Sequence, residues 1–375
     1  MAGVMSDSSS TGTGWVEDPN AALTLHGSYY TEAGIFERER SEVFQRSWQY
    51  AAHRSQLANP GDFVTRKIMD QEVFLICDEA GQVRAFYNAC AHRAHPLVEG
   101  AGQCEAIVCP YHAWRYGLDG RLRYARGLNA DVARDVGLSE VRTDWLLDFV
   151  FVNLDEAALP LSEVAPGLAD DVAARAPFIS SLKPVPDPTR VIRELDANWK
   201  VVVDNYIECY HCAPAHPGFS EVFDVARTDI ELLGRAARQL VPRHQQSSVP
   251  EYPLTDEDDI VDGVFWFLYP NTSLSIIPGS ATFTVTQIQP ITAETCGRTF
   301  WSFTPDGTTS EAHKLRAAWL GRTVGAEDIA LCETVQRGLR QRGYGTGRYV
   351  AAAQDADEKA LHAFHYHYLA DMQGN

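Results

Sequence analysis

Two short motifs separated by sixteen residues restrict this chain more than anything else in it: Cys90-Ala91-His92 and Cys109-Pro110-Tyr111-His112. Each offers one thiolate and one imidazole, and both lie among β-rich runs. Asp62–Arg66, Glu72–Cys77 and Gln82–Tyr87 are dense in β-branched and aromatic residues, and Asp78-Glu79-Ala80-Gly81 closes the last two into a hairpin. Further short strands run on through Phe149–Leu154, so residues 47–156 read as a small β domain. Two thiolates and two imidazoles on neighbouring loops suit either a tetrahedral zinc ion or a [2Fe–2S] cluster with two cysteines on one iron and two histidines on the other. The order of the ligands favours the cluster, because each loop then gives one ligand to each iron. Cys90, His92, Cys109 and His112 are therefore the expected cluster ligands, with Cys104 and His95 as bystanders.

A second constellation lies about a hundred residues downstream, in Asn205-Tyr206-Ile207-Glu208-Cys209-Tyr210-His211-Cys212-Ala213-Pro214-Ala215-His216. The preceding residues from Asp196 predict a buried helix. If it continues, Glu208 and His211 share a face, and Pro214 ends it, which lets His216 fold back toward the same point. Two imidazoles and a carboxylate converging there are the donor set of a non-haem iron site with open positions.

The rest of the chain supplies the setting. Residues 1–46 read as a Ser/Thr/Gly-rich disordered tail and an amphipathic entry helix from Tyr30 to His53, carried by Ile35, Phe36, Val43, Phe44 and Trp48. The proline-rich stretch 157–190 reads as a connection, with a short helix near Val164–Ala176. Residues 191–375 open with a strand near Thr189–Leu195 and the helix above. An antiparallel ribbon follows (264–268, 273–277, 281–289, 298–303), then helical periodicity over Glu311–Gly343 and Ala356–Met372. The fold class is α+β, because strands and helices do not alternate. A formal charge of −18 argues against nucleic acid, and no apolar run approaches the length of a membrane span. The Met1–Gly14 segment lacks the features of a signal peptide. The eight cysteines are accordingly expected as free thiols or metal ligands in a cytoplasmic protein.

These motifs resemble the oxygenase (alpha) component of the Rieske non-haem iron oxygenases, over nearly everything from residue 25 onward. Within that family the chain is most similar to the oxygenases of quaternary ammonium compounds: the carnitine monooxygenase and glycine betaine and stachydrine demethylase group. The residues that carry the resemblance are the two cluster loops, Cys109–Trp114, Asn198-Trp199-Lys200, Asn205–Phe219, Glu327-Asp328 and Gln336-Arg337-Gly338-Leu339. It implies an N-terminal Rieske [2Fe–2S] domain and a helix-grip-like catalytic domain with a twisted antiparallel sheet and flanking helices. It also implies mononuclear Fe(II) held by His211, His216 and a carboxylate, best matched by Asp328, although the sequence does not separate Asp328 from Glu327. Glu208 takes the place of the bridging acid that links a cluster histidine of one subunit to the iron ligand of the next, which implies a homotrimer. Ring-hydroxylating members carry Asp there, so Glu208 sides with the quaternary-amine members.

The resemblance implies an O2-dependent monooxygenase in which a separate flavin and iron–sulfur reductase brings electrons from NADH. The absence of a nucleotide-binding fingerprint agrees with that. Hydroxylation beside the substrate nitrogen would lead to C–N cleavage. An aromatic-acid O-demethylase or ring hydroxylase is the alternative, and a pure electron carrier a third. Tyr206, Phe219, Phe265, Trp266 and Tyr269 are expected to form a cage for the trimethylammonium group. Cys209 and Cys212 are expected to be helix packing, and His362, His365 and His367 a polar or interfacial helix face.

Overall fold

The computed structural model describes residues 14–186, 193–244, 249, 252, 254, 259–351 and 357–374. The expected tail up to residue 13, most of the expected strand near Thr189 and the start of the expected last helix at Ala356 lie outside them.

Gln71–Cys77 shows how the first half is built. Its side chains point alternately to the two faces of a sheet. Val73, Leu75 and Cys77 enter one core, and Phe74 and Ile76 enter another. The strand is therefore apolar on both faces, and it sits inside a seven-stranded antiparallel sheet. In spatial order the strands are Gln49–His53, Phe149–Asn153, Glu140–Leu146, Val83–Tyr87, Gln71–Cys77, Asp62–Ile68 and Ala101–Gln103. The expected hairpin at Asp78 is present, with Asp78 Oδ1 accepting hydrogen bonds from the Ala80 and Gln82 amides. A small sheet of Ile107–Val108, Arg115–Tyr116 and Leu122–Tyr124 closes over the second core.

The entry segment departs from expectation. Helix Ala33–Glu39 runs into a π-helical turn at Arg40–Phe44, and Gln49–His53 is a fully buried strand, not the end of the helix. Pairing with Phe149–Asn153 overrides the helical periodicity there. The proline-rich connection is packed rather than loose. Helices Leu161–Val164 and Leu168–Arg175 bury Leu161, Leu168 and Val172, and Lys183–Pro184 joins the second sheet.

The second sheet has eight antiparallel strands. Lys183–Pro184, Thr295–Thr304, Phe283–Thr292, Thr272–Ile276, Gly263–Leu268, Ala236–Val241 and Asp229–Leu233 follow one another, and Arg193–Leu195 also pairs with Thr295–Thr304. The hairpin Asp229–Val241 was not expected from the sequence. Its Arg, Glu and Gln residues mask the alternation, and Arg238 is buried among Asp229 and Glu231. The helical stretch from Glu311 divides at Thr323 into Glu311–Arg322 and Val324–Leu339. Lys359–Gln373 is the last helix. Among the described residues no helix is long and apolar enough to cross a membrane.

Candidate active site

The helix Trp199–Tyr206 is fixed at its start. Asn198 Oδ1 caps it by accepting the Lys200 amide at 2.8 Å. Glu39, fully buried, pairs with the Lys200 ammonium and accepts hydrogen bonds from Trp199 Nε1 and Tyr368. Gln336 Oε1 accepts the Asn198 amide at 2.9 Å and so ties this helix to Val324–Leu339.

The helix ends at Tyr206, two residues short of Glu208. Glu208 and His211 thus lie in the turn after it and do not share a helical face as expected. Pro214 does not stop a helix either. It falls in the first turn of the short helix Cys212–Ala215, where its missing N–H costs nothing. Pro217 then opens Pro217–Val222, leaving His216 between the two. The turn replaces the helix as the device that brings the histidines together. One Glu208 oxygen accepts from His211 Nδ1, and the other from the backbone amides of Tyr210 and His211.

His211, His216 and Asp328 converge, with one ligand atom from each lying within 4.8 Å of the others. Asp328 comes from the inward stripe Asp328–Cys332–Gln336 of its helix, whose last two members are buried. Glu327, one residue round, reaches His216 from the side: His216 Nδ1 lies 2.8 Å from Glu327 Oε2. Both histidines therefore spend Nδ1 on a carboxylate and turn Nε2 inward, the arrangement that fixes imidazoles at metal sites. His216 Nε2 and Asp328 Oδ1 are buried and 2.9 Å apart, yet neither has a hydrogen-bond partner, so both point at a shared space instead of at each other. Two neutral nitrogens and a carboxylate oxygen with open directions fit a divalent iron.

The charges agree. Burial alone would lower the His211 pKa, but the carboxylates of Asp328 and Glu208 outweigh it and raise it to about 9. His216 is raised by Asp328 and Glu327 against the same burial. Burial would raise Asp328, but the two imidazoles hold it far below the ordinary carboxylate range.

The other motif forms two matched loops. The Cys90 amide donates to His95 O and the Ala94 amide to Cys90 O. The Cys109 amide donates to Trp114 O and the Ala113 amide to Cys109 O. Ala94 and Ala113 both have positive φ, at 56° and 59°. Cys90 and Cys109 are buried, while His92 and His112 stand exposed with ring centroids 4.6 Å apart. The Tyr116 hydroxyl lies 3.1 Å from Cys90 Sγ, and His92 stacks on Trp114. Buried sulfurs below and exposed imidazoles above match the two halves of the cluster inferred from the motif.

A cavity of about 570 Å³ reaches from His211, His216 and Asp328 across one face of the second sheet. Tyr206, Phe219, Phe265 and Phe300 give it aromatic walls, and Gln239, Thr284, Thr286, Arg298 and Arg316 are among its polar lining.

The description "Rieske [2Fe-2S] domain" matches residues 47–137, and "Ring hydroxylating alpha subunit (catalytic domain)" matches residues 181–374. The carnitine monooxygenase oxygenase subunit of Escherichia coli (strain K12) is 35% identical over 360 residues, covering 94% of each chain. The chain belongs to the Rieske non-haem iron oxygenases. The chloroplastic choline monooxygenase of Spinacia oleracea is 29% identical over 92% of this chain and 78% of its own. A quaternary ammonium Rieske monooxygenase crystallised with L-carnitine superimposes with a TM-score of 0.81 at 32% identity, covering 95% of this chain and 97% of that one.

This Rieske oxygenase is a monooxygenase that uses a [2Fe–2S] cluster and a mononuclear iron. Three of the five aromatic residues expected at its cavity, Tyr206, Phe219 and Phe265, line it. Trp266 and Tyr269 do not. Trp266 points to the opposite face of its strand and donates Nε1 to Asp171 at 2.6 Å. Tyr269 packs beneath the Arg235 guanidinium and against Phe364, also outside the cavity. Cys209 and Cys212 are not free thiols packed on a helix but a disulfide, closing the turn that carries His211. Cys104 is a free thiol packed against the core beneath the loops, and His95 enters the first loop through its backbone oxygen. The three late histidines make separate bonds: His362 to Val16 O, His365 to Tyr349 and Asp204, and His367 to Gly234 O. His362 and His365 face the interior instead of an outer polar face. Two residues of the oxygenase had no role in the sequence reading. Asn205 Nδ2 lies 3.2 Å from His211 Nε2, and Arg298 lines the cavity. Asn205 opens the motif stretch, which was its one sequence signal.

Proposed function

We propose that this chain is the oxygenase component of a two-component monooxygenase that oxidises a small quaternary ammonium compound, carnitine or a related betaine. The observation that carries this is the aromatic-walled cavity ending at His211, His216 and Asp328. Relatives named for carnitine and choline agree with it.

In this reading Cys90, His92, Cys109 and His112 would hold the cluster, and His211, His216 and Asp328 the iron. When bound, the iron supplies dioxygen activation and C–H oxidation, fed with electrons from the cluster. The protein's part is positional. Glu208 and Glu327 hold the two imidazoles in the tautomer that presents Nε2. Tyr206, Phe219 and Phe265 offer ring faces to a trimethylammonium group, each worth about 0.5–2 kcal/mol. Oxygen inserted on a carbon bound to nitrogen gives a product whose collapse breaks the C–N bond.

Glu208 is also proposed to bridge the electron path from the exposed His92–His112 tip of a neighbouring subunit to His211, without being reduced itself, in a homotrimer closed head to tail. An NADH-dependent flavin and iron–sulfur reductase would supply the electrons.

The test is aerobic turnover with NADH and a surrogate reductase on carnitine, γ-butyrobetaine, glycine betaine, proline betaine and a methoxybenzoate. Trimethylamine, formaldehyde and NADH are followed together. Trimethylamine from carnitine, or formaldehyde from a betaine, supports the proposal and fixes the cleavage. Product from the methoxybenzoate alone overturns it in favour of aromatic O-demethylation.

A further inference from the structure

We infer that Arg298 is the anchor for a substrate carboxylate, and that it directs this oxygenase to zwitterionic quaternary ammonium acids over plain cations such as choline. This rests on the quaternary ammonium reading above and narrows it.

Arg298 lies in the strand Thr295–Thr304, where Arg298, Phe300 and Ser302 take alternate positions and all face the cavity. Its guanidinium carbon sits 5.7 Å from the centre of the Phe300 ring. Its Nε is buried without a hydrogen-bond partner. Among the described residues the Arg298 side chain makes no hydrogen bond or ion pair. The other inward arginines contrast with it. Arg235 is clamped bidentately by Asp371, Arg238 reaches Asp229 and Glu231, and Arg175 pairs with Asp171. The second cavity arginine, Arg316, is committed to the wall. It donates to Ser280 at 3.2 Å and packs so closely on Gly279, at φ +132°, that a Cβ there would lie 2.1 Å from its Nη1.

A guanidinium held among apolar walls without a counter-charge is unfavourable. A ligand carboxylate cures that with two parallel N–H···O bonds, the geometry for which arginine is suited. The anchor shares its cavity with the reacting centre, since Arg298 and Asp328 both line it. One lining therefore carries aromatic faces for an ammonium and an uncommitted guanidinium for an acid. Choline would leave that guanidinium unpaired, and sites reject ligands that strand a buried polar group more strongly than those that merely fit loosely.

The experiment measures calorimetric binding to the anaerobic holoprotein of a matched pair, γ-butyrobetaine and butyltrimethylammonium. The two share cation and chain and differ in the carboxylate. The wild type is expected to bind γ-butyrobetaine more tightly. Arg298→Gln should weaken γ-butyrobetaine roughly 10- to 100-fold, the range for a charge-assisted pair, and leave butyltrimethylammonium unchanged. Arg298→Lys should restore part of the loss. Unchanged butyltrimethylammonium binding also shows that the variant is folded. Equal weakening of both ligands, no weakening of either, or a selective loss found in Arg316→Gln instead overturns the anchor while leaving the quaternary ammonium reading standing. Failure of the wild type to bind either ligand overturns that reading itself, and the anchor with it.

Discussion

His216 turns Nδ1 to Glu327, 2.8 Å from its Oε2, and by doing so frees Nε2 to face Asp328 Oδ1 on the other side of the ring. Two adjacent acids thus serve one histidine in different ways. Glu327 fixes the tautomer, and Asp328 shares the inward space.

Substitution should separate the two acids. Asp328→Ala and His211→Ala each remove a donor of the converging trio, so bound iron should fall from about three atoms per chain to about two, the cluster's own. The brown cluster absorption should persist while product formation is lost. Glu327→Gln keeps a hydrogen-bond acceptor but lowers imidazole basicity, so iron affinity should fall about 10- to 100-fold with activity recovered at high iron. Iron analysis beside visible spectra and turnover checks each outcome. Full iron loading in Asp328→Ala would remove Asp328 from the donor set.

The two Cys/His loops and the pair His211 and His216 stood out because metal chemistry needs fixed residue types at short spacing. The choice of Asp328 over Glu327 was not legible, because Glu327, Leu331 and Val335 repeat at the same spacing as Asp328, Cys332 and Gln336, and only the fold buries the second set. Other features were hidden by tertiary context. The end of the helix at Tyr206 follows from the turn that Glu208 builds with the amides of Tyr210 and His211, which no periodicity announces. Trp266 looked like Phe265 in sequence, and only the register of the sheet separates their faces. Arg298 sits in an ordinary polar alternation, and its lack of a partner is a property of the assembled cavity.

The Cys209–Cys212 disulfide yields a count. Eight cysteines with one bridge leave six thiols. Denatured, cluster-free protein should therefore take up six alkylating groups without reductant and eight with it, read by mass spectrometry. The bridge spans the turn that places His211, so Cys209→Ser with Cys212→Ser should loosen that turn and lower iron retention, leaving the cluster signal intact. Eight groups without reductant would show both cysteines to be free.

Acid should weaken the protein through His53. Its ring is sandwiched between Phe149 and Phe303 at 5.1 and 5.0 Å, where the first sheet meets the second core. Burial depresses its pKa from 6.5 to about 4, with Asp148 opposing and Arg54 assisting. Between those two values the unfolded chain binds a proton that the folded chain refuses, so stability must fall as pH drops through that window. Melting temperature measured from pH 7 to pH 4 should decline, and His53→Gln, which cannot titrate, should flatten that decline. An unchanged slope in the variant would assign the acid sensitivity elsewhere.

Phe265 and Trp266 are neighbours on one strand with opposite duties, and substitutions should separate them. Phe265 faces the cavity, so Phe265→Ala removes one ring face and its share of cation–π attraction, about 0.5–2 kcal/mol. Under the proposed function this raises KM for a quaternary ammonium substrate by roughly 2- to 30-fold with little change in melting temperature. Trp266 is fully buried on the other face, with its indole N–H bound to Asp171. Trp266→Phe strands that carboxylate oxygen and trims the core, so stability should fall by about 1–3 kcal/mol while KM holds. Steady-state kinetics and thermal melts on the two variants form a two-by-two test. A rise in KM for Trp266→Phe without loss of stability would mean that the indole reaches substrate after all, and the assignment of the two faces would have to be exchanged.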